Sequence, residues 1–150
     1  MKVKRVLYIE DELPKEATRD YLWTQLTEVE GYEVVPARLG AEAEQHLRSG
    51  SFDLVILDIM MGAGNLTPES PLHKAEFFEM GLVLLKSLRK GIYGSSGTQP
   101  DVPVVVVSAT NNRKRWEEVE GNLGPDAKKN WFQKPHPAKE IFNRIQEILQ

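Results

Sequence analysis

The sequence predicts an α/β fold of five strand-helix units, a three-layer sandwich built on a parallel five-stranded sheet. Three observations lead there. Residues 52–57 (FDLVIL) and 102–107 (VPVVVV) are nearly all apolar, as strands buried on both faces of a parallel sheet are. Strand-like and helix-periodic segments alternate from one end of the chain to the other. Parallel neighbours in turn need crossover connections, which fold right-handed and place helices on both faces.

In order, residues 3–9 are β-rich and run into the acidic Glu10-Asp11-Glu12. A helix is expected from Pro14 to about Val29, with Ala17, Tyr21, Leu22, Leu26 and Val29 on its buried face and Gly31 closing it. Residues 32–37 form the second strand, and 40–48 a short helix with Ala43 and Leu47 in phase, ended by Ser49-Gly50. The third strand, 52–57, leads to Asp58. A helix over 81–90 carries Leu84, Leu85 and Leu88 on one side. The fourth strand ends at Ser108, a weaker helix spans 113–120, and the last strand, 130–133, precedes Lys134. Residues 137–149 form the final helix, with Ile141, Ile145 and Ile148 in phase. All 150 residues fit one domain, and 91–100, rich in glycine and serine, reads as a flexible surface loop.

Composition narrows the function. No apolar run reaches the roughly 20 residues that span a bilayer, and the amino-terminal segment turns acidic too early for a secretory signal, so a soluble, cytoplasmic protein is expected. Without cysteine, a metal would need oxygen ligands or one of the three histidines. A net charge of -3 with no long basic run offers no electrostatic footprint for nucleic acid.

In open α/β sheets ligands bind beyond the carboxyl ends of the strands. Here those ends carry Glu10 and Asp11, Asp58, Ser108 and Lys134. If the strand order is 2-1-3-4-5, strands one and three are neighbours and Glu10, Asp11 and Asp58 converge, and three carboxylates share a pocket only if some protonate or a cation neutralises them. Oxygen ligands suit Mg²⁺, which keeps several waters. Such a site can clamp a phosphoryl group while Lys134 balances charge from the other side, Ser108 donates to a phosphoryl oxygen and Asp58 attacks phosphorus. Singly, each residue has a plainer explanation: helix-end electrostatics for Asp11 and Glu12, capping for Asp58 and Ser108, a solvated charge for Lys134. Their coincidence at four strand ends favours a site.

The segments LYIEDE (7–12), FDLVILDIMM (52–61), VVVVSA (104–109) and WFQKP (131–135) together resemble the receiver domain of bacterial response regulators, a flavodoxin-like (βα)5 fold, and more closely its stand-alone form. That resemblance implies phosphorelay signalling rather than an enzyme. It makes Asp58 the phosphoacceptor, Asp11 a direct Mg²⁺ ligand with Glu10 acting largely through water, and the backbone carbonyl of Met60 a further ligand. Ser108 and Lys134 match the hydroxyl and lysine of the family's site, and Lys134-Pro135 its often cis step. Trp131 falls at the aromatic switch position, more often tyrosine or phenylalanine, and would turn as Ser108 moves toward the phosphate. The phosphodonor would be a histidine kinase or histidine phosphotransfer protein, and the output an unknown downstream protein, with no direct nucleic-acid or membrane partner.

Two departures stand out. Gly62 occupies a place where the family usually has proline, which predicts a more mobile loop. Residues 62–80 are an insertion between the third strand and third helix; Ser70-Pro71 reads as a helix start, and Phe77, Gly81, Leu84 and Leu88 share a phase, so the third helix is expected to run back to Pro71 as one piece. The insertion reads either as a partner-specific lid or as a harmless loop expansion, and its His73 either as an acid near the phosphate or as an exposed side chain.

The competing readings are a degenerate receiver acting as a phosphorylation-independent interaction module, which the intact acidic set opposes, an aspartyl-phosphate phosphatase, which typically needs a second acid where Leu13 stands, and a flavin carrier, whose first turn would not be acidic.

Overall fold

The computed structural model describes residues 2–13 and 20–150. Five parallel strands form one sheet in the order β2-β1-β3-β4-β5: β1 Arg5–Ile9, β2 Glu33–Ala37, β3 Leu54–Leu57, β4 Val104–Ser108 and β5 Trp131–Gln133. The expected α/β architecture and strand order are both present. Pro36 lies in β2, an edge strand, where its missing N–H costs no ladder bond to a further neighbour.

Alternation along the central strands divides the interior in two. Leu7, Ile9, Val55, Leu57, Val104 and Val106 face one core, packed with α2 (Gly40–Ser49), α3 (Met80–Arg89) and α4 (Arg113–Glu120). Val6, Tyr8, Leu54, Ile56, Val105 and Val107 face the other, closed by α1 (Tyr21–Thr24) and α5 (Ala138–Leu149). Strands with apolar residues on both faces can only be central, which is why their sequences lack polar alternation.

The first helix departs from the expected pattern. Asp20 caps α1, its carboxylate accepting the Trp23 N–H at 3.0 Å, but α1 then opens into a π-helical turn over Gln25–Val29. Leu22 and Leu26 are buried as expected, whereas Tyr21 and Val29 are 67% and 66% exposed. Tyr21 lies a third of a turn from the Leu22–Leu26 line, and the wider π turn rotates Val29 out of the α-helical phase. The expected start at Pro14 and the inward Ala17 lie outside the described residues.

Two connections also differ. The third helix does not reach back to Pro71. The chain makes two separate 3₁₀ turns, Pro71–Lys74 and Phe77–Glu79, divided by extended backbone at Ala75 (ψ 140°) and Glu76 (ψ 165°), and Phe77 is 45% exposed. The start signal itself is real: Ser70 Oγ accepts the Leu72 N–H, with proline in the first turn. Residues 91–100, expected as a flexible surface loop, are packed onto α2, with Tyr93 and Thr98 buried and the Thr98 N–H donating to the Leu47 carbonyl at 2.8 Å.

Gly81, in the first turn of α3, packs against the end of β3: a Cβ there would lie 2.2 Å from the Asp58 carbonyl oxygen. Gly81→Ala is therefore expected to lower the unfolding free energy by about 1–3 kcal/mol, as overpacking does, read from a urea titration.

Candidate functional site

Sheet register builds the site. Ile9 pairs with Leu57 and the Asp58 N–H continues that ladder to the Ile9 carbonyl at 3.0 Å, so the next residues on the two strands, Glu10 and Asp58, stand side by side. On the other side, β4 and β5 pair Ser108 with Gln133, and the Lys134 N–H donates to the Ser108 carbonyl at 2.9 Å. The predicted Glu10, Asp11, Asp58, Ser108 and Lys134 thus meet at one end of the sheet. One carboxylate oxygen from each of Glu10, Asp11 and Asp58 lies within 4.8 Å of the others.

The contacts are specific. Asp58 is 3% exposed; its Oδ1 accepts the Ser108 hydroxyl at 2.6 Å and the Met60 N–H at 3.1 Å, and its Oδ2 accepts Lys134 Nζ at 3.1 Å. Lys134 also donates to both Glu10 oxygens, at 2.9 and 2.8 Å, and Glu10 Oε1 accepts the Glu12 N–H. The Ser108 oxygen in turn accepts the Ile59 N–H at 3.4 Å. The Lys134-Pro135 peptide is cis, as the resemblance implied.

Charge is unbalanced in this pocket. Two carboxylates about 5 Å apart at an effective dielectric of about 20 repel by roughly 3 kcal/mol. Burial first, and then the neighbouring Asp58 charge, push the Glu10 carboxyl up to about 8, against the pull of Lys134. Asp11 is raised for the same two reasons. Burial disfavours the Lys134 ammonium, but the Glu10 hydrogen bonds and the Asp58 charge outweigh it and hold the group above its ordinary value. With all three carboxylates ionised, one cation would serve three anions, and the oxygen-only donor set fits a hard divalent cation.

Trp131 lies apart from the pocket, in β5 opposite Val106. Its ring stacks on Trp116 with centroids 4.1 Å apart, and its indole N–H donates to Glu120 Oε1 at 3.0 Å; the Trp116 indole donates to the Thr110 carbonyl at 2.8 Å. His73 is exposed, its Nε2 lying 2.8 Å from the Thr67 carbonyl within the insertion.

Sequence reasoning missed one buried acid. Glu44, 1% exposed, accepts hydrogen bonds from Ser70 Oγ and Tyr93 OH, each at 2.5 Å, with Arg48 at 3.6 Å. A signal was available: Gly40, Ala43, Glu44 and Leu47 follow the spacing of one helical face, and all four are buried.

No protein-family profile matches the chain. It is 30% identical over 149 residues to a transcriptional regulatory protein CpxR homolog of Haemophilus influenzae, a match that takes in 99% of this chain and 51% of that protein, so the chain spans about half the length of this curated relative. Among solved structures, the receiver domain of Francisella response regulator 1452 superposes with a TM-score of 0.65 at 21% identity, covering 97% of this chain and 95% of that one. A CheY-like receiver domain protein of Methanospirillum hungatei JF-1 gives 0.64 at 22% identity, covering 99% and 94%. The chemotaxis response regulator CheY4 of Vibrio cholerae gives 0.64 at 19%, covering 98% and 99%. With the same five-stranded order and these superpositions, the chain has the fold of the response regulator receiver domains.

Proposed function

We propose that residues 1–150 form one receiver domain that accepts a phosphoryl group on Asp58 in a two-component phosphorelay and changes its affinity for a protein partner in response. The observation that carries this reading is the environment of Asp58: a buried carboxylate bonded to both Ser108 and Lys134, with two further carboxylates within 4.8 Å. A structural acid needs one good partner. This one sits in an excess of negative charge that a bound cation would relieve.

Asp11 and Asp58 would hold Mg²⁺, with Glu10 largely through water and the Met60 carbonyl as a further ligand. The ion would neutralise the pocket and bind the oxygens of the incoming phosphoryl group. An Asp58 oxygen attacks phosphorus; the O–P bond forms as the bond from phosphorus to the donor's imidazole nitrogen breaks, and the electron pair leaves with the imidazole. Lys134, already on Asp58 Oδ2, offsets the charge gathering on the phosphoryl oxygens. Ser108 exchanges its bond to Asp58 Oδ1 for one to a phosphoryl oxygen. If Trp131 then turns inward, it gives up both its stack on Trp116 and its bond to Glu120, and α4 with it. The donor is a histidine kinase or a histidine phosphotransfer protein, and the setting is the cytoplasm. Among the described residues no helix is long and apolar enough to cross a membrane.

Incubation with Mg²⁺ and acetyl phosphate is expected to add one labile phosphoryl group, seen by intact mass and absent in Asp58→Asn; an adduct that persists in Asp58→Asn would overturn the assignment. Ser108→Ala should slow loading by up to about 10²-fold, the scale of one lost donor to developing charge. Tryptophan fluorescence should change on adding beryllofluoride, and Trp131→Phe should remove most of that change.

The pocket also sets a pH response. A carboxyl whose folded pKa lies above its unfolded value binds the extra proton in the folded state, so its contribution is present at low pH and lost as pH rises; for Glu10 that window runs from 4.5 to about 8. In EDTA, Glu10 therefore makes the urea midpoint fall from about pH 5 to about pH 8. Mg²⁺ should restore the midpoint, and Glu10→Gln should flatten the slope.

A further inference from the structure

We propose that residues 62–80 form a strap, latched to α2 by Glu44, that fixes the backbone beside Asp58, which makes Glu44 a positioning residue for the phosphoryl site. The inference rests on the phosphoacceptor reading above and adds a role for residues remote from the pocket.

Both ends of the strap are tied next to Asp58. The Met61 N–H donates to the Phe77 carbonyl at 3.2 Å, so the outgoing and returning chain are bonded to each other. The Gly81 N–H donates to the Ile59 carbonyl at 2.8 Å, with Gly81 itself against the Asp58 carbonyl. Gly62, where a mobile loop was expected, is held as well: its carbonyl accepts the Gly40 N–H at 2.9 Å, and the Ala63 carbonyl accepts the Ala41 N–H at 2.8 Å. These are the first N–H groups of α2, which have no partner inside the helix, and no side chain of its own caps α2.

Further along, Leu72 is fully buried, and a Cβ on Gly40 would lie 2.8 Å from Leu72 Cδ1. The absence of a side chain at 40 makes room for the strap. Ser70 Oγ donates to Glu44 and accepts the Leu72 N–H, joining the buried carboxylate to the turn that carries Leu72. Tyr93 and Arg48 hold Glu44 from the other side, with the Arg48 guanidinium 5.3 Å above the Tyr93 ring. Burying a carboxylate is expensive, and an apolar side chain would cover α2 at less cost. What an apolar contact lacks is direction. The Glu44–Ser70 bond fixes the strap along α2, and the strap's backbone continues to Met61, the residue after the expected carbonyl ligand Met60.

The test uses the whole chain and two readouts: hydrogen exchange of the Met61 amide in metal-free protein, and the Mg²⁺ dissociation constant from tryptophan fluorescence. Glu44→Ala is expected to lower Met61 protection by about tenfold or more and to raise the Mg²⁺ Kd by about 3- to 10-fold. Glu44→Gln, which keeps an acceptor for a hydroxyl, should recover much of both. Leu22→Ala, in the opposite core, serves as a control for lost stability and should move neither readout locally. If Glu44→Ala does not fold, Ser70→Ala carries the same comparison, because it leaves Glu44 its Tyr93 and Arg48 partners. Met61 protection and Mg²⁺ affinity no different from the Leu22→Ala control would overturn the strap. A wild-type protein that takes no phosphoryl group would overturn the phosphoacceptor reading instead, while the exchange comparison would still decide the latch.

Discussion

Parallel pairing of β1 with β3 sets Ile9 opposite Leu57, and the residue that follows on each strand is an acid, almost fully buried. The site follows from that adjacency. Lys134 is drawn across from the end of β5 to bond both acids, and Ser108 closes on the remaining Asp58 oxygen. Even so, with every carboxylate ionised, negative charges outnumber positive ones by two among Glu10, Asp11, Asp58 and Lys134. Such an arrangement is tolerable in a protein that binds a divalent cation and poorly suited to one that does not.

A buried acid outside the pocket, Glu44, makes an instructive contrast with Asp58. Glu44 meets two hydroxyl donors and a guanidinium, with no other carboxylate among those contacts. It is a finished junction between α2, the 62–80 segment and the 91–100 loop. Asp58 is bonded as fully but shares its space with like charge, so its partners have something to gain by rearranging. Burial is common to both acids; the sign of their neighbours separates them.

The aromatic pair adds a constraint to how a signal could leave the pocket. Trp116 reaches the chain just beyond Ser108 through the Thr110 carbonyl, and its stack on Trp131 joins that loop to β5, while Glu120 fixes the Trp131 indole from the far end of α4. A tyrosine at 131 would carry a smaller ring and a hydroxyl in a different place. With tryptophan there, the aromatic and α4 are bound into one unit.

The amino-acid sequence by itself determined the α/β class and put Glu10, Asp11, Asp58, Ser108 and Lys134 at strand ends, because strands of a parallel sheet are marked by local apolar runs, and the resemblance to receiver domains supplied the strand order that brings those ends together. It also marked Ser70-Pro71 as a helix start, since capping is a matter of two or three adjacent residues. Only the tertiary structure decided what lay between. The 3.6-residue phase of Phe77 with Gly81 suggested one long helix, but the buried Leu72 and the Ser70–Glu44 bond hold the turn before it in place, and extended backbone at Ala75 and Glu76 divides the two. The glycines and serines of 91–100 suggested a free loop, yet Tyr93 within it is drawn down onto Glu44. In each case a long-range contact, invisible to periodicity, outweighed local propensity, and the fully buried partners of those contacts made the outcome energetically decisive.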